Sequence, residues 1–166
     1  MTVEIVVRNE NETDVLGGVL ARTLPEGAVV ALLGTLGAGK TRLVQGVAQA
    51  LGVSKEDVGS PTFVLIREYD GKERSIYHFD AYRLRDSDEF LALGVDEYFD
   101  SDGISFVEWA DRVEDAVPRH RVNILVEPLD ATTRRFSISA QGEFDPEFEE
   151  KTRALWEEAI IEFDRV

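Results

Sequence analysis

Ala28-Val29-Val30-Ala31-Leu32-Leu33 runs straight into Gly34-Thr35-Leu36-Gly37-Ala38-Gly39-Lys40-Thr41, and this junction decides the fold. The first six residues are apolar throughout, as a strand covered on both faces should be. The next eight match G-x-x-x-x-G-K-[ST], and they lead into an amphipathic helix, as the motif requires. That helix is predicted from about Thr41 to Leu51, with Leu43, Val44, Val47 and Leu51 facing inward and Gly52 ending it. In such a loop the glycines let the backbone wrap around phosphates, with N–H groups pointing inward at the positive end of the helix dipole. Lys40 would reach the β and γ phosphates of a nucleotide, and the Thr41 hydroxyl would ligate Mg²⁺. Gly37, Ala38, Gly39, Lys40, Thr41 and Arg42 are therefore the candidate nucleotide-binding residues.

Around this junction lies a chain of 166 residues and 18.6 kDa, the length of one ordinary domain. With 43% hydrophobic and 31% charged residues it reads as a soluble globular protein. Its longest apolar run is far shorter than the ~20 residues a membrane helix needs. The opening MTVEIVVRNENE has neither the basic start nor the apolar core of a signal peptide. There is no cysteine, so disulfides, thiolate metal sites and thiol catalysis are excluded, and a cytoplasmic location is expected. The net charge is −15, and residues 68–115 carry most of it, with fifteen acidic and five basic side chains. Tight nucleic-acid binding rests on Lys and Arg neutralising phosphates, so a stand-alone RNA or DNA binder is not expected. An acidic surface fits a basic protein partner, or simply solubility.

The remaining segments fill in a layered domain. Residues 3–8 alternate like a strand, and Asn11 and Thr13 are plausible caps for a helix that stops near Pro25. Residues 61–69 and 75–80 flank Asp70-Gly71-Lys72 as a hairpin, and 120–128 and 134–140 form a second one. Residues 86–93 and 95–99 look like short helices, and Ile104–Trp109 like another buried strand. From Pro146 to Phe163 an amphipathic helix sets Leu155, Trp156, Ala159, Ile160 and Phe163 on one side. The expected class is α/β: a single-domain, P-loop NTPase-like mixed sheet flanked by helices, with two antiparallel hairpins and a C-terminal helix. Residues 1–142 would form the ATPase domain, and 143–166 an amphipathic helix packed on it or on a partner.

Phosphate binding alone hydrolyses nothing; a carboxylate near the metal is needed, at the end of a neighbouring strand. Glu108 follows the apolar run Ile104–Val107, and Asp80 follows Ser75–Phe79. Either can serve. A guanine-reading N-K-x-D is absent from the sequence, so ATP is favoured over GTP. His78 and His120 have no recognisable catalytic companion and read as structural.

The loop, Ser60-Pro61-Thr62-Phe63, Tyr77-His78-Phe79-Asp80-Ala81-Tyr82-Arg83-Leu84 and Phe106-Val107-Glu108-Trp109-Ala110-Asp111-Arg112, in this order, resemble the bacterial TsaE family, also called YjeE. Its members are small P-loop ATPases required for threonylcarbamoyladenosine modification of tRNA. The resemblance runs from about residue 10 to 140, and the final 25 or so residues add little to it. It implies that Gly37, Gly39, Lys40 and Thr41 hold the ATP phosphates, with Thr41 and Glu108 on Mg²⁺. It further implies that Asp80 serves hydrolysis, assigned here to orienting the attacking water, with Lys40 beside it. Thr62 would lie in a switch-like loop near the γ-phosphate, and Trp109 close to the nucleotide. The implied partners are TsaD and TsaB, whose complex the ATP cycle would reset, with tRNA met only through that complex and no membrane involved. Arg83 and Arg85 could screen phosphate charge or meet a partner, though arginines in an acidic segment are usually surface ion pairs. Two other readings stay open: a small-molecule P-loop kinase, and a non-catalytic ATP-dependent adaptor.

Overall fold

In the computed structural model, which describes residues 1–59 and 65–166, the strand expected at Ala28–Leu33 is the hub of the sheet. It is β2 (Val29–Leu33), preceded by β1 (Val3–Val7) and α1 (Glu10–Thr23) and followed by α2 (Lys40–Ala50). Then come β3 (Ile66–Asp70), β4 (Ser75–Asp80), α3 (Ser87–Leu91), α4 (Val95–Phe99) and β5 (Ile104–Glu108). The chain closes with β6 (Arg121–Pro128), β7 (Arg134–Gln141) and α5 (Phe148–Asp164). Seven strands form one mixed sheet in the order β1-β7-β6-β2-β5-β4-β3. The four central strands β6, β2, β5 and β4 are parallel, and the outer pairings are antiparallel.

Alternation within β2 explains why both faces need cover. Val30 and Leu32 join one core, with Leu43, Val44 and Val47 of α2 and Leu16 and Leu20 of α1. Val29 and Ala31 join the other, with Phe79, Phe90, Val95 and Val113. A strand apolar at every position can satisfy both. Ligands of such sheets bind beyond the carboxyl ends of the parallel strands. Here the Gly34–Lys40 turn leaves β2 at that end.

Several boundaries differ from the sequence reading, each for a local reason. The cap of α1 is Asn9, in extended conformation, whose side chain accepts from the Glu12 N–H at 3.0 Å. Glu12 in turn accepts from the Arg8 N–H at 2.7 Å, so Asn9 and Glu12 together satisfy donors that Asn11 or Thr13 would leave open. The first hairpin turns at Gly71–Arg74, and its strand β3 begins at Ile66; residues 60–64, including Thr62, lie outside the described residues. In α5 the inward stripe is Phe148, Thr152 and Trp156, with Ile160 partly buried behind them. Phe163 is 38% exposed, because the last turn runs on past the core. The helix packs against α1, β1 and β7, and its Glu149 accepts from the Ala140 N–H at 2.9 Å.

α1 and α2 cross closely at a pair of glycines. A Cβ on Gly17 would stand 2.4 Å from the Gly46 carbonyl carbon and 2.6 Å from the Val47 nitrogen, whereas one on Gly18 would meet nothing within 4 Å. Gly17→Ala should therefore overpack the crossing by about 1–3 kcal/mol. In thermal unfolding that is a loss of roughly 2–10 °C for a chain of this size. Gly18→Ala should instead raise the midpoint slightly, since alanine favours helix by up to ~1 kcal/mol. Equal responses of the two variants would contradict the crossing.

Candidate functional site

The loop after β2 is held open by backbone geometry. Gly34 sits against β6: a Cβ there would lie 2.5 Å from the Val126 carbonyl oxygen. Gly39, at φ 113°, caps α2 in a conformation that side chains rarely adopt, and it turns the first N–H groups of the helix toward the loop. Ala38 is fully buried, and its carbonyl accepts from Arg134 Nε at 3.0 Å. Arg134 also donates to the Asp130 carbonyl at 2.8 Å, so one guanidinium ties the β6–β7 turn to the loop.

Lys40 folds back across this loop. Its ammonium donates to the Gly34 carbonyl at 2.6 Å and lies 3.6 Å from the centroid of the Trp109 ring. Burial lowers its pKa, against the opposing pull of Glu108, Asp80 and Asp111. Trp109 is one of two described non-glycine residues at positive φ, 59°, just past the end of β5. Such strain at a strand end aims the ring over Lys40 instead of along the strand. Tyr82 adds a second ring 4.9 Å from Trp109.

The carboxylates arrive from the neighbouring strands. β4 and β5 pair in parallel with Asp80 opposite Glu108 and His78 opposite Phe106. By strand alternation, Glu108, Asp80 and His78 share the face that α2 covers. Glu108 is 4% exposed, and its Oε2 accepts from the Thr41 hydroxyl at 2.9 Å. The same oxygen lies 2.5 Å from His78 Nε2. Asp80, 3% exposed, accepts from the Tyr82 N–H at 2.8 Å.

Lys40, Thr41, Asp80, Glu108 and Trp109, all singled out in the sequence, thus line one cleft of 450 Å³. Arg42 lines it too, but its guanidinium is paired with Asp14 at 3.0 Å and Glu10 at 3.5 Å on α1. A second cleft of 420 Å³ opens on the other flank of the same glycines, bordered by Asn9, Thr13, Thr132 and Arg134. Arg85 lines neither cleft and is paired with Glu89 at 2.7 Å. A cavity of 920 Å³ lies at the opposite end of β2, and its lining includes none of these groups. His120 borders it and accepts from the Glu143 N–H at 2.7 Å, a structural bond.

Sequence reading missed three contributors. Arg134 had no local signal, since its role depends on a contact 96 residues away. Tyr82 joins the site only through the ring of Trp109. His78 was legible: it stands two residues before Asp80 in a strand, hence on the same face.

The family model described as "Threonylcarbamoyl adenosine biosynthesis protein TsaE" matches residues 7–136. The chain belongs to the TsaE family. It is 38% identical over 134 residues to the tRNA threonylcarbamoyladenosine biosynthesis protein TsaE of Bacillus subtilis, covering 81% of this chain and 83% of that protein. The Treponema pallidum TsaE is 37% identical over 134 residues, 81% of this chain and 98% of the relative. A crystal structure of Bacillus subtilis YdiB superposes with a TM-score of 0.71 at 31% identity, covering 98% of this chain and 96% of that one. This likeness reaches through α5, so the C-terminal segment that adds little to the sequence match belongs to the shared architecture.

Lys40 offers a clean test within this TsaE-family chain. Its lowered pKa means that the unfolded chain binds the proton more readily than the folded one. Stability should therefore rise with pH between the lowered value and the ordinary lysine range, and the charge weighs against folding below that window. Lys40→Met should unfold at the same or a higher temperature near pH 7 while losing affinity for polyphosphate anions. A melt lowered by several degrees would show that the ammonium's bond to Gly34 supports the fold.

Proposed function

We propose that this protein binds ATP with Mg²⁺ at the Gly34–Thr41 loop and hydrolyses it slowly, as a component of the cytoplasmic machinery that makes threonylcarbamoyladenosine in tRNA. The observation that carries this reading is the contact between Thr41 and Glu108 at the mouth of the loop, 2.9 Å, with Asp80 alongside in register. The names of the TsaE relatives supply the pathway.

The donor set fits magnesium. A threonine hydroxyl can donate to Glu108 and still offer a lone pair, and oxygen ligands suit this hard ion. Among the described residues no group of three or more His, Asp or Glu is placed to cage a metal alone. Mg²⁺ in nucleotide sites is commonly held by one or two protein oxygens together with phosphates and waters, which matches Thr41 and Glu108. When bound there, the ion would neutralise charge developing on the phosphates.

This chain's own groups do the rest. Loop N–H groups and the start of α2 would bind the phosphates, with Lys40 lifted from the Gly34 carbonyl to meet them. Asp80, locked by the Tyr82 N–H, would orient the attacking water and accept its proton. Base and ribose would take the second cleft, between Asn9, Thr13 and the Thr132–Arg134 turn.

Glu108→Gln should weaken Mg²⁺-dependent nucleotide binding and turnover together, whereas Asp80→Asn should lower kcat by about 10²–10⁴-fold with nucleotide affinity nearly unchanged. Calorimetric binding with and without Mg²⁺, alongside single-turnover hydrolysis, separates the two. The reverse pattern would exchange the roles.

Among the described residues lining the loop cleft, the cations are Lys40 and Arg42, and Arg42 is engaged by Asp14. A cation supplied by a partner can add ~10³–10⁵ in rate in P-loop systems. Hydrolysis by the isolated protein should therefore be slow and rise sharply with TsaD and TsaB. Docking through the exposed acids Asp88, Glu97 and Asp100 should make that stimulation fade as salt rises, the Debye length being ~8 Å at physiological strength. Reversing those three charges should reduce stimulation while the basal rate holds. Asp86 and Glu89 are unsuitable for this test, since they cap α3 and hold Arg85. A fast isolated enzyme, indifferent to the pair, would overturn the partner-dependent reading.

A further inference from the structure

His78 is fully buried in β4, yet it is neither apolar nor a participant in any step assigned so far. Its neighbours along the strand, Ile76 and Phe79, are core residues, one on each face. An apolar side chain at position 78 would extend the Ile76 face without interruption. Instead the imidazole presents Nε2 to Glu108 Oε2 at 2.5 Å, and its Nδ1 has no hydrogen-bond partner among the described residues. A ring half-satisfied in full burial is a poor way to fill a core. The bond that is made is directed at the one oxygen that also receives the Thr41 hydroxyl.

We infer that His78 is a positioning residue, whose Nε2–H holds Glu108 Oε2 and fixes the rotamer of the carboxylate at the mouth of the loop. The geometry explains why a holder is needed. Glu108 is the last residue of β5, and Trp109 next to it leaves the strand at positive φ. The glutamate stem has three rotatable bonds, and the Thr41 hydroxyl is a single donor on a neighbouring element. A second donor, rigid and mounted on the adjacent parallel strand, removes the remaining freedom. β4 supplies it because residues 78 and 80 face the same side: one strand carries both the holder of Glu108 and the carboxylate Asp80. Outer groups that orient a metal-binding carboxylate commonly contribute 10–100-fold to metal affinity. The inference rests on the magnesium reading of Thr41 and Glu108 given above.

The experiment uses the full chain, with His78→Leu to remove the donor and His78→Gln to keep an N–H at similar reach. Affinity for a non-hydrolysable ATP analogue is measured by calorimetry without metal and across a Mg²⁺ titration, and thermal unfolding is recorded without either ligand. The expected result for His78→Leu is a Mg²⁺ titration shifted about 10–100-fold to higher concentration with metal-free affinity unchanged, substantially recovered in His78→Gln. On a Glu108→Gln background, His78→Leu should add almost nothing, because the holder then has no carboxylate to hold. Equal losses with and without Mg²⁺, wild-type Mg²⁺ dependence in His78→Leu, or failure of both variants to fold would overturn the inference and assign His78 to the core. A wild-type protein whose nucleotide affinity ignores Mg²⁺ would instead remove the magnesium reading itself, so the two failures are distinguishable.

Discussion

The contact between the Thr41 hydroxyl and Glu108 joins the two halves of the molecule that matter. Thr41 belongs to the first turn of α2, and Glu108 ends a strand 67 residues later in the chain. Their 2.9 Å separation requires α2 to start directly over the carboxyl end of β5. That placement depends on the parallel pairing of β2 with β5 and on the tight exit of the chain at Gly34 against Val126. It also needs the Gly17–Gly46 crossing, which lets α1 press α2 down onto the sheet.

Around this contact the site is assembled from polar groups that burial makes effective. Lys40, Asp80, Glu108 and His78 are each at most 4% exposed. In such surroundings charges and hydrogen bonds act more strongly than in water, and an unpaired group is correspondingly unfavourable. Each has a partner: Lys40 has the Gly34 carbonyl and the Trp109 face, Asp80 the Tyr82 N–H, and Glu108 both Thr41 and His78. The arrangement is preorganised, with anionic groups on one side of the loop and the ammonium folded over it. The excess of acid in residues 68–115 lies largely outside this small cluster, on the edge hairpin β3–β4, on α3 and α4, and in the loops around β5.

Much of this was legible along the chain because the signals were local. The strand–glycine–helix junction announces itself through an apolar run, glycines at set spacing and a helical stripe. The two hairpins show through alternation and turn residues. Boundaries were less legible where capping decided them: Asn9 displaced Asn11 and Thr13 because Glu12 could complete the cap from three residues on. Phe163 kept the helical period of its neighbours but missed the core, since periodicity does not say where the surface it faces ends.

The sequence by itself determined which residues have the chemistry, namely Lys40, Thr41, Asp80, Glu108 and Trp109, because residue type and spacing within short motifs are properties of the chain. Only the tertiary structure decided how they meet. The strand order β6-β2-β5-β4 sets Asp80 beside Glu108, and that order rests on nonlocal burial of both sheet faces, which no local pattern encodes. The reach of Arg134 to Ala38, the pairing of Arg42 with α1 and the grip of His78 on Glu108 belong to the same class. Each is a short-range interaction between residues distant in the chain, and so it exists only once the sheet has brought them together.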